Sequence, residues 1–138
     1  MVKLTVVDSS VAYKWICSVD EGGVDAAGAL LDAHETGTIL LAAPDILHVE
    51  LANVVRNSPY LDEDESVTIV EEIAHFAVEL MPSTPTRLSR AVRLSYKHGL
   101  PVYDALFLQL AEELDCPLVT ADRKAFAGIE SPVEIRLV

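Results

Sequence analysis

Short apolar runs alternate with helix-period segments along the whole chain, and this alternation constrains the fold more than any other feature. Residues 4–7 (Leu-Thr-Val-Val), 38–42, 79–81 and 117–120 each read as a short buried strand, and 133–138 alternates as an edge strand does. Helical spacing fills the gaps. A helix is expected to start at Asp8-Ser9-Ser10, whose short polar side chains suit free amide groups. Others are expected over 24–34, 44–57, 62–78, 84–98 and 101–114. Gly37 and Gly99 close two of them, Ser58-Pro59 breaks a third, and Pro44 is expected at a first-turn position. Strands alternating with helices imply an α/β sandwich: a central, mainly parallel sheet with helices on both faces. With 138 residues and no repeat, low-complexity tract or linker, residues 1–138 read as a single domain.

Composition narrows the class. Hydrophobic residues form 51% of the chain, too many for a disordered acidic tail. The net charge of -12 argues against broad electrostatic binding of nucleic acid, which needs a basic surface. No apolar run approaches the roughly 18–20 residues of a membrane span. The first residues reach Asp8 before any signal-peptide core could form, and Cys17 and Cys116 fit no disulfide or zinc pattern. The expectation is a cytoplasmic protein with no membrane association and with both cysteines as small core residues.

Most of the acids sit where solvent would take them, including Asp20, Glu21, Asp25, Glu35, Asp62 to Glu65, Glu112 and Glu113. The run from Asp62 to Glu65 reads as the dipole-compensating first turn of a helix. Four acids are different. Asp8 and Asp122 each follow an apolar strand directly, and in open α/β sheets ligand sites form beyond the carboxyl ends of strands. Either alone could be a helix cap. Glu50 falls inside the apolar arc of Ile46, Leu47, Leu51 and Val54, and Asp104 is followed at helical spacing by Phe107, Leu108, Ala111 and Leu114. Acids on such faces are rarely buried unless paired or bound to a metal. One such residue could be a salt-bridged helix edge; two, with two more at strand ends, point to a shared metal site. Carboxylate oxygens suit Mg²⁺ or Mn²⁺, and the soft ligands of zinc are missing from the group. His34, His48, His75 and His98 have no partners at ligand spacing and are taken as surface or edge residues.

These residues resemble a known family. Val6-Val-Asp8-Ser-Ser10-Val-Ala-Tyr-Lys14-Trp15, then Pro44-Asp-Ile-Leu-His-Val-Glu50-Leu-Ala-Asn53, Gly99-Leu-Pro-Val-Tyr-Asp104-Ala-Leu and Leu118-Val-Thr120-Ala-Asp122 together look like a PIN-domain nuclease. More closely, they look like a VapC-type toxin ribonuclease of a prokaryotic toxin–antitoxin pair. Each motif is weak alone, but the four in series span nearly the whole chain in the right order. The resemblance implies a PIN-like three-layer sandwich. It implies that Asp8, Glu50, Asp104 and Asp122 are an acidic quartet holding one or two Mg²⁺ or Mn²⁺ ions, and that Ser10 and Thr120 are hydroxyls orienting carboxylates or water. The implied reaction is hydrolysis of RNA by a metal-activated water, leaving 5′-phosphate and 3′-hydroxyl ends. The implied partners are an RNA substrate, a cognate antitoxin with a basic arm, and a second copy in a homodimer.

Lys14 and Arg123 lie close in sequence to Asp8 and Asp122 and are candidates to contact the scissile phosphate, or else surface cations beside neighbouring acids. Lys3, Arg56 and Lys124 join them as bases within six positions of a proposed ligand. Trp15 and Tyr103 are expected to pack in the core or a dimer interface rather than stack on a base. A phosphohydrolase using Asp8 as nucleophile would want a second Asp where Ser10 stands. A non-catalytic module that holds a basic peptide in an acidic pocket is the alternative from a different class. The remaining surplus of acid is expected to serve either antitoxin docking or solubility at high salt.

Overall fold

The computed structural model describes residues 2–17 and 22–138. Among them five strands form one sheet: β1 (Lys3–Val7), β2 (Ile39–Pro44), β3 (Glu79–Met81), β4 (Leu118–Thr120) and β5 (Ile135–Leu137). Their spatial order is β3-β2-β1-β4-β5 and every pairing is parallel. The sheet is thus wholly rather than mainly parallel, with β5 at one edge as its alternation predicts. The central strand β1 shows why. Val6 and Val7 are both fully buried, although their side chains leave opposite faces of the sheet. Val6 and Leu118 join the larger core cluster, with Leu47, Leu51, Phe107, Leu108 and Leu110 from the helices; Val7 and Val119 join a smaller one with Val11 and Ala27. Two cores, one on each face, make three layers.

Seven α-helices are found among the described residues. They are α1 (Ser9–Ile16), α2 (Val24–Glu35), α3 (Ile46–Arg56), α4 (Glu63–Ile73), α5 (Pro85–His98), α6 (Val102–Leu114) and the short α7 (Arg123–Phe126). Asp8, Asp62, Thr84 and Asp122 each cap the following helix by accepting a backbone N–H with the side chain. Gly37 and Gly99 adopt left-handed backbone after α2 and α5, a conformation open to a residue without Cβ.

Three boundaries differ from the sequence expectation. Pro44 is not a first-turn residue of α3. It ends β2 opposite Met81, where the ring's missing N–H costs the sheet nothing. The helix expected over 62–78 stops at Ile73, tightens into a 3-10 turn (Ala74–Phe76) and is ended by Ala77 in the left-handed region at φ 55°. The four residues of α7 follow Asp122 without any expected element there. Asp20 and Glu21, expected to be solvated, lie outside the described residues.

The strand order fixes where a site can form. From β1 the chain adds β2 and β3 on one side, then crosses to place β4 on the other. The carboxyl ends of β1 and β4 therefore flank the point where the winding reverses, and a crevice opens there in sheets of this kind. Asp8 follows β1 and Asp122 stands two residues past β4.

Candidate active site

Asp8 is the anchor. It is 5% exposed and its carboxylate accepts from three donors: Ser10 Oγ and Thr120 Oγ1, each at 2.5 Å, and the backbone N–H of Val11 at 3.3 Å. The two hydroxyls lie 3.3 Å apart. Each also accepts from the β4–α7 turn, Ser10 Oγ from Ala121 N and Thr120 Oγ1 from Asp122 N. Asp122 in turn accepts from Ala125 N. The end of β1 is thereby tied to the end of β4 through two hydroxyls, and the backbone of Asp122 is set by the group that holds Asp8.

Glu50 and Asp104 come from α3 and α6. Glu50 is half-buried and takes a hydrogen bond from Ser9 Oγ at 3.2 Å. Asp104 is half-buried in the first turn of α6, where the helix dipole favours a negative charge. Directly after it, Ala105 to Ala111 form an unbroken buried run.

The electrostatics join the four acids. Burial raises Asp8 from 3.8 to about 6, against the pull of its hydroxyl and amide donors, and the Asp122 charge raises it further. Burial likewise raises Glu50 from 4.5 to about 7; the Ser9 hydrogen bond opposes this, and the charges of Asp104 and Asp8 add to it. Asp104 is raised by burial and then by Asp122. Among the described residues, the groups acting on these three are hydroxyls, an amide and one another, with no cation. Carboxylates gathered without a compensating cation hold protons or bind a metal.

The donor set fits a hard divalent ion, because the four carboxylates and the hydroxyls of Ser9, Ser10 and Thr120 that hold two of them are all oxygen ligands. It is not a finished shell: among the described residues no three His, Cys, Asp or Glu groups form a ready-made metal-binding cluster. The four acids share one field but stand apart, as like charges do.

Other candidates are placed differently. Lys14 is 8% exposed, and its Cε lies 3.7 Å from where a Cβ on Gly23 would stand. It is packed toward the α2 side rather than displayed to solvent. Its position three residues after Val11 on α1 carried that signal. Arg123 is exposed at the start of α7, beside Asp122, with Lys124 next to it. Lys3 opens β1, five residues from Asp8 and so about 17 Å away at the other end of the strand. Arg56 closes α3 and lines a groove against α4.

Trp15 packs, as expected. Its Nε1 donates to Ala27 O at 2.8 Å and its ring meets Phe76 edge-on, while Tyr103 is exposed. Cys116 is buried, and Cys17 is partly exposed. Glu113 is not merely solvated, since it accepts from Arg87, Arg90 and Gln109. His34 is structural: its Nδ1 accepts from Leu41 N and its Nε2 donates to Ala77 O. Ser9 is the residue the sequence did not single out; its partner Glu50 is 41 positions away.

Residues 5–130 match the PIN domain. The chain belongs to the PIN-domain family. It is 34% identical over 123 residues to Ribonuclease VapC3 of Pyrobaculum aerophilum, covering 88% of this chain and 91% of that protein. It is 34% identical over 102 residues to Ribonuclease VapC1 of Mycobacterium tuberculosis, covering 70% and 73%. Within the PIN family it therefore groups with the VapC ribonucleases. The same fold recurs in the structure of VapBC2 from Rickettsia felis bound to a DNA fragment from its promoter, at a TM-score of 0.73 with 14% identity over 98% of both chains. It recurs also in the toxin–antitoxin complex VapBC-5 of Mycobacterium tuberculosis, at 0.60 with 22% identity over 98% of both chains. No helix among the described residues is long and apolar enough to cross a membrane.

Proposed function

We propose that this chain is the ribonuclease toxin of a toxin–antitoxin pair, hydrolysing RNA phosphodiester bonds at a Mg²⁺ or Mn²⁺ site formed by Asp8, Glu50, Asp104 and Asp122. One observation carries the reading: four carboxylates from four different elements act on one another at the winding reversal of the sheet, with no cation of the described residues acting on Asp8, Glu50 or Asp104.

When bound, such an ion supplies Lewis acidity at the phosphoryl oxygens and acidifies a coordinated water. The chain's own residues prepare for it. Ser10 and Thr120 fix the rotamer of Asp8, so its oxygens need no reordering on binding. Ser9 holds one oxygen of Glu50. Protons on Asp8 and Glu50 must leave before those groups can serve as anionic ligands, which ties activity to pH. To Arg123, exposed beside Asp122, we assign contact with the phosphate.

The antitoxin partner is supported by a second feature. A groove of about 610 Å³ between α3 and α4 is lined by apolar Ala52, Leu61, Val67 and Val70, by the acids Asp62, Glu63 and Glu71, and by Ser66 and one base, Arg56. An apolar lining with three acids against one base suits an amphipathic basic arm. The setting we assign is the cytoplasm, and the working form a homodimer.

The test is cleavage of a mixed-sequence RNA with added Mn²⁺. Cleavage leaving 5′-phosphate ends, abolished by EDTA and by Asp104→Asn in a folded variant, supports the reading. Cleavage indifferent to both removes it. Binding of an Arg-rich peptide with no cleavage under any metal favours the non-catalytic acidic-pocket module instead.

A further inference from the structure

In a chain of net charge -12, α5 gathers more cations than any other helix among the described residues. α5 carries Arg87, Arg90, Arg93 and Lys97, four of the ten Lys+Arg, and none of the 22 acids. Its sequence places them with purpose. At 100° per residue, Thr86, Ser89, Arg90, Arg93, Tyr96 and Lys97 fall within 60° of Arg93, and all six are exposed. The opposite face, around Ala91, packs on α6. Glu113 engages Arg87 and Arg90, while among the described residues Arg93 and Lys97 join no ion pair. Tyr96 is 89% exposed, and with Ser89, Val92 and Arg93 it lines a shallow groove. Tyr96 thus stands within one helical turn of Arg93 and Lys97 on the exposed face.

The position on the fold matters as much as the charge. α5 ends at His98 and only three residues separate it from α6, which bears exposed Tyr103 and then Asp104. The basic stripe therefore runs toward the carboxylates, with Arg93 on the order of 15 Å from Asp104, the reach of a few nucleotides.

We propose that the exposed face of α5 is a binding track for single-stranded RNA flanking the cleaved bond, with Arg93 and Lys97 meeting phosphates and Tyr96 stacking on a base. The proposal rests on the ribonuclease reading above and adds the surface that holds the substrate. A cationic row with an interleaved aromatic is the recurring chemistry of single-strand binding. A second copy of the chain fits less well, since a twofold interface on α5 would set the same cations against one another. The track also resolves the charge problem: the grip on RNA is local to one helix, in a chain that repels polyanions elsewhere.

Fluorescence anisotropy with a labelled 20-nucleotide single-stranded RNA tests it, in EDTA, on full-length protein carrying Asp104→Asn to silence cleavage. Added Arg93→Ala and Lys97→Ala are expected to weaken binding on the order of tenfold at low salt. They should also lower the slope of log Kd against log salt by about 1.4, at about 0.7 for each lost phosphate contact. Tyr96→Ala should weaken binding on the order of tenfold, and Tyr96→Phe should restore it. Unchanged affinity and slope in these variants overturn the proposal, as does a background protein that binds no RNA. Sedimentation adds a control: a changed oligomeric state with unaltered RNA affinity assigns the face to a second copy and also overturns it. The nuclease reading is checked apart, by Mn²⁺-dependent hydrolysis of bis(p-nitrophenyl) phosphate, a diester too small to reach α5. Loss of that activity in the otherwise unaltered chain defeats the nuclease reading, whereas its retention in the α5 variants together with a raised KM for RNA supports the track.

Discussion

Replacing Asp8 with Asn measures how far the site works against the fold. Asp8 is almost fully buried and its pKa is raised, chiefly by that burial, from 3.8 to about 6. A carboxylate with a raised folded-state pKa binds its proton more tightly in the folded chain than in the unfolded one. Its contribution is therefore intact below about pH 4 and is lost as pH rises through about 6. At about 1.4 kcal/mol per pKa unit, the gap is worth about 3 kcal/mol against the folded state at neutral pH. Asn carries no charge and escapes this cost. It also offers one acceptor oxygen where the carboxylate offers two to Ser10, Thr120 and Val11, a loss of about 1 kcal/mol. In EDTA the variant should thus be about 2 kcal/mol more stable than the parent at about pH 7.5, and about 1 kcal/mol less stable at about pH 4. Urea denaturation at several pH values reads both numbers. Saturating Mn²⁺ should stabilise the parent and leave the variant nearly unmoved. A difference that is the same at every pH, or a parent more stable at neutral pH in EDTA, would refute the reasoning.

Three further outcomes follow from the same geometry. Asp104→Asn should raise the melting temperature in metal-free buffer at neutral pH, because it removes a half-buried charge that Asp122 opposes; a lower melting temperature contradicts the clustering. Ser9→Ala removes the one hydrogen bond that lowers Glu50, so the Glu50 carboxyl should titrate higher, and the acid limb of the RNA cleavage profile should move up in pH. Titration followed by carboxyl-region NMR separates this from simple unfolding. His34→Ala strands Leu41 N and Ala77 O and should cost on the order of 2 kcal/mol in denaturant, with faster hydrogen exchange at Leu41.

The positions of the candidate carboxylates are more legible in the sequence than the details around them. Glu50 and Asp104 were legible because a charge inside an apolar helical arc needs a reason, and Asp8 and Asp122 because a strand's carboxyl end is where parallel sheets open. What was lost was information held at a distance. Pro44 satisfies the rules for a helix start and for a strand end equally, and only its pairing with Met81 decides between them. Ala77 ends a helix in left-handed backbone without the glycine that would announce it. Ser9 looks like its neighbour Ser10, yet the two serve different carboxylates, Glu50 and Asp8. Lys14 lies near Asp8 in sequence, yet its helical phase sets it beside Val11 in the buried layer. Nearness along the chain proved a poor guide to the rim, as Lys3 at the far end of β1 also shows.

The central claim is that these four carboxylates bind a divalent cation, and proton release reports on it directly. Asp8 and Glu50, with pKa values of about 6 and about 7, are largely or partly protonated near pH 6 in the metal-free chain. Binding as anionic ligands must expel those protons. Calorimetric titration of Mn²⁺ in buffers of different ionisation enthalpy should show release of on the order of one proton per site near pH 6. Near pH 8.5, release should fall to almost none, and Asp8→Asn should bind far more weakly at either pH. Binding without proton release near pH 6, or no saturable binding at all, would contradict the account.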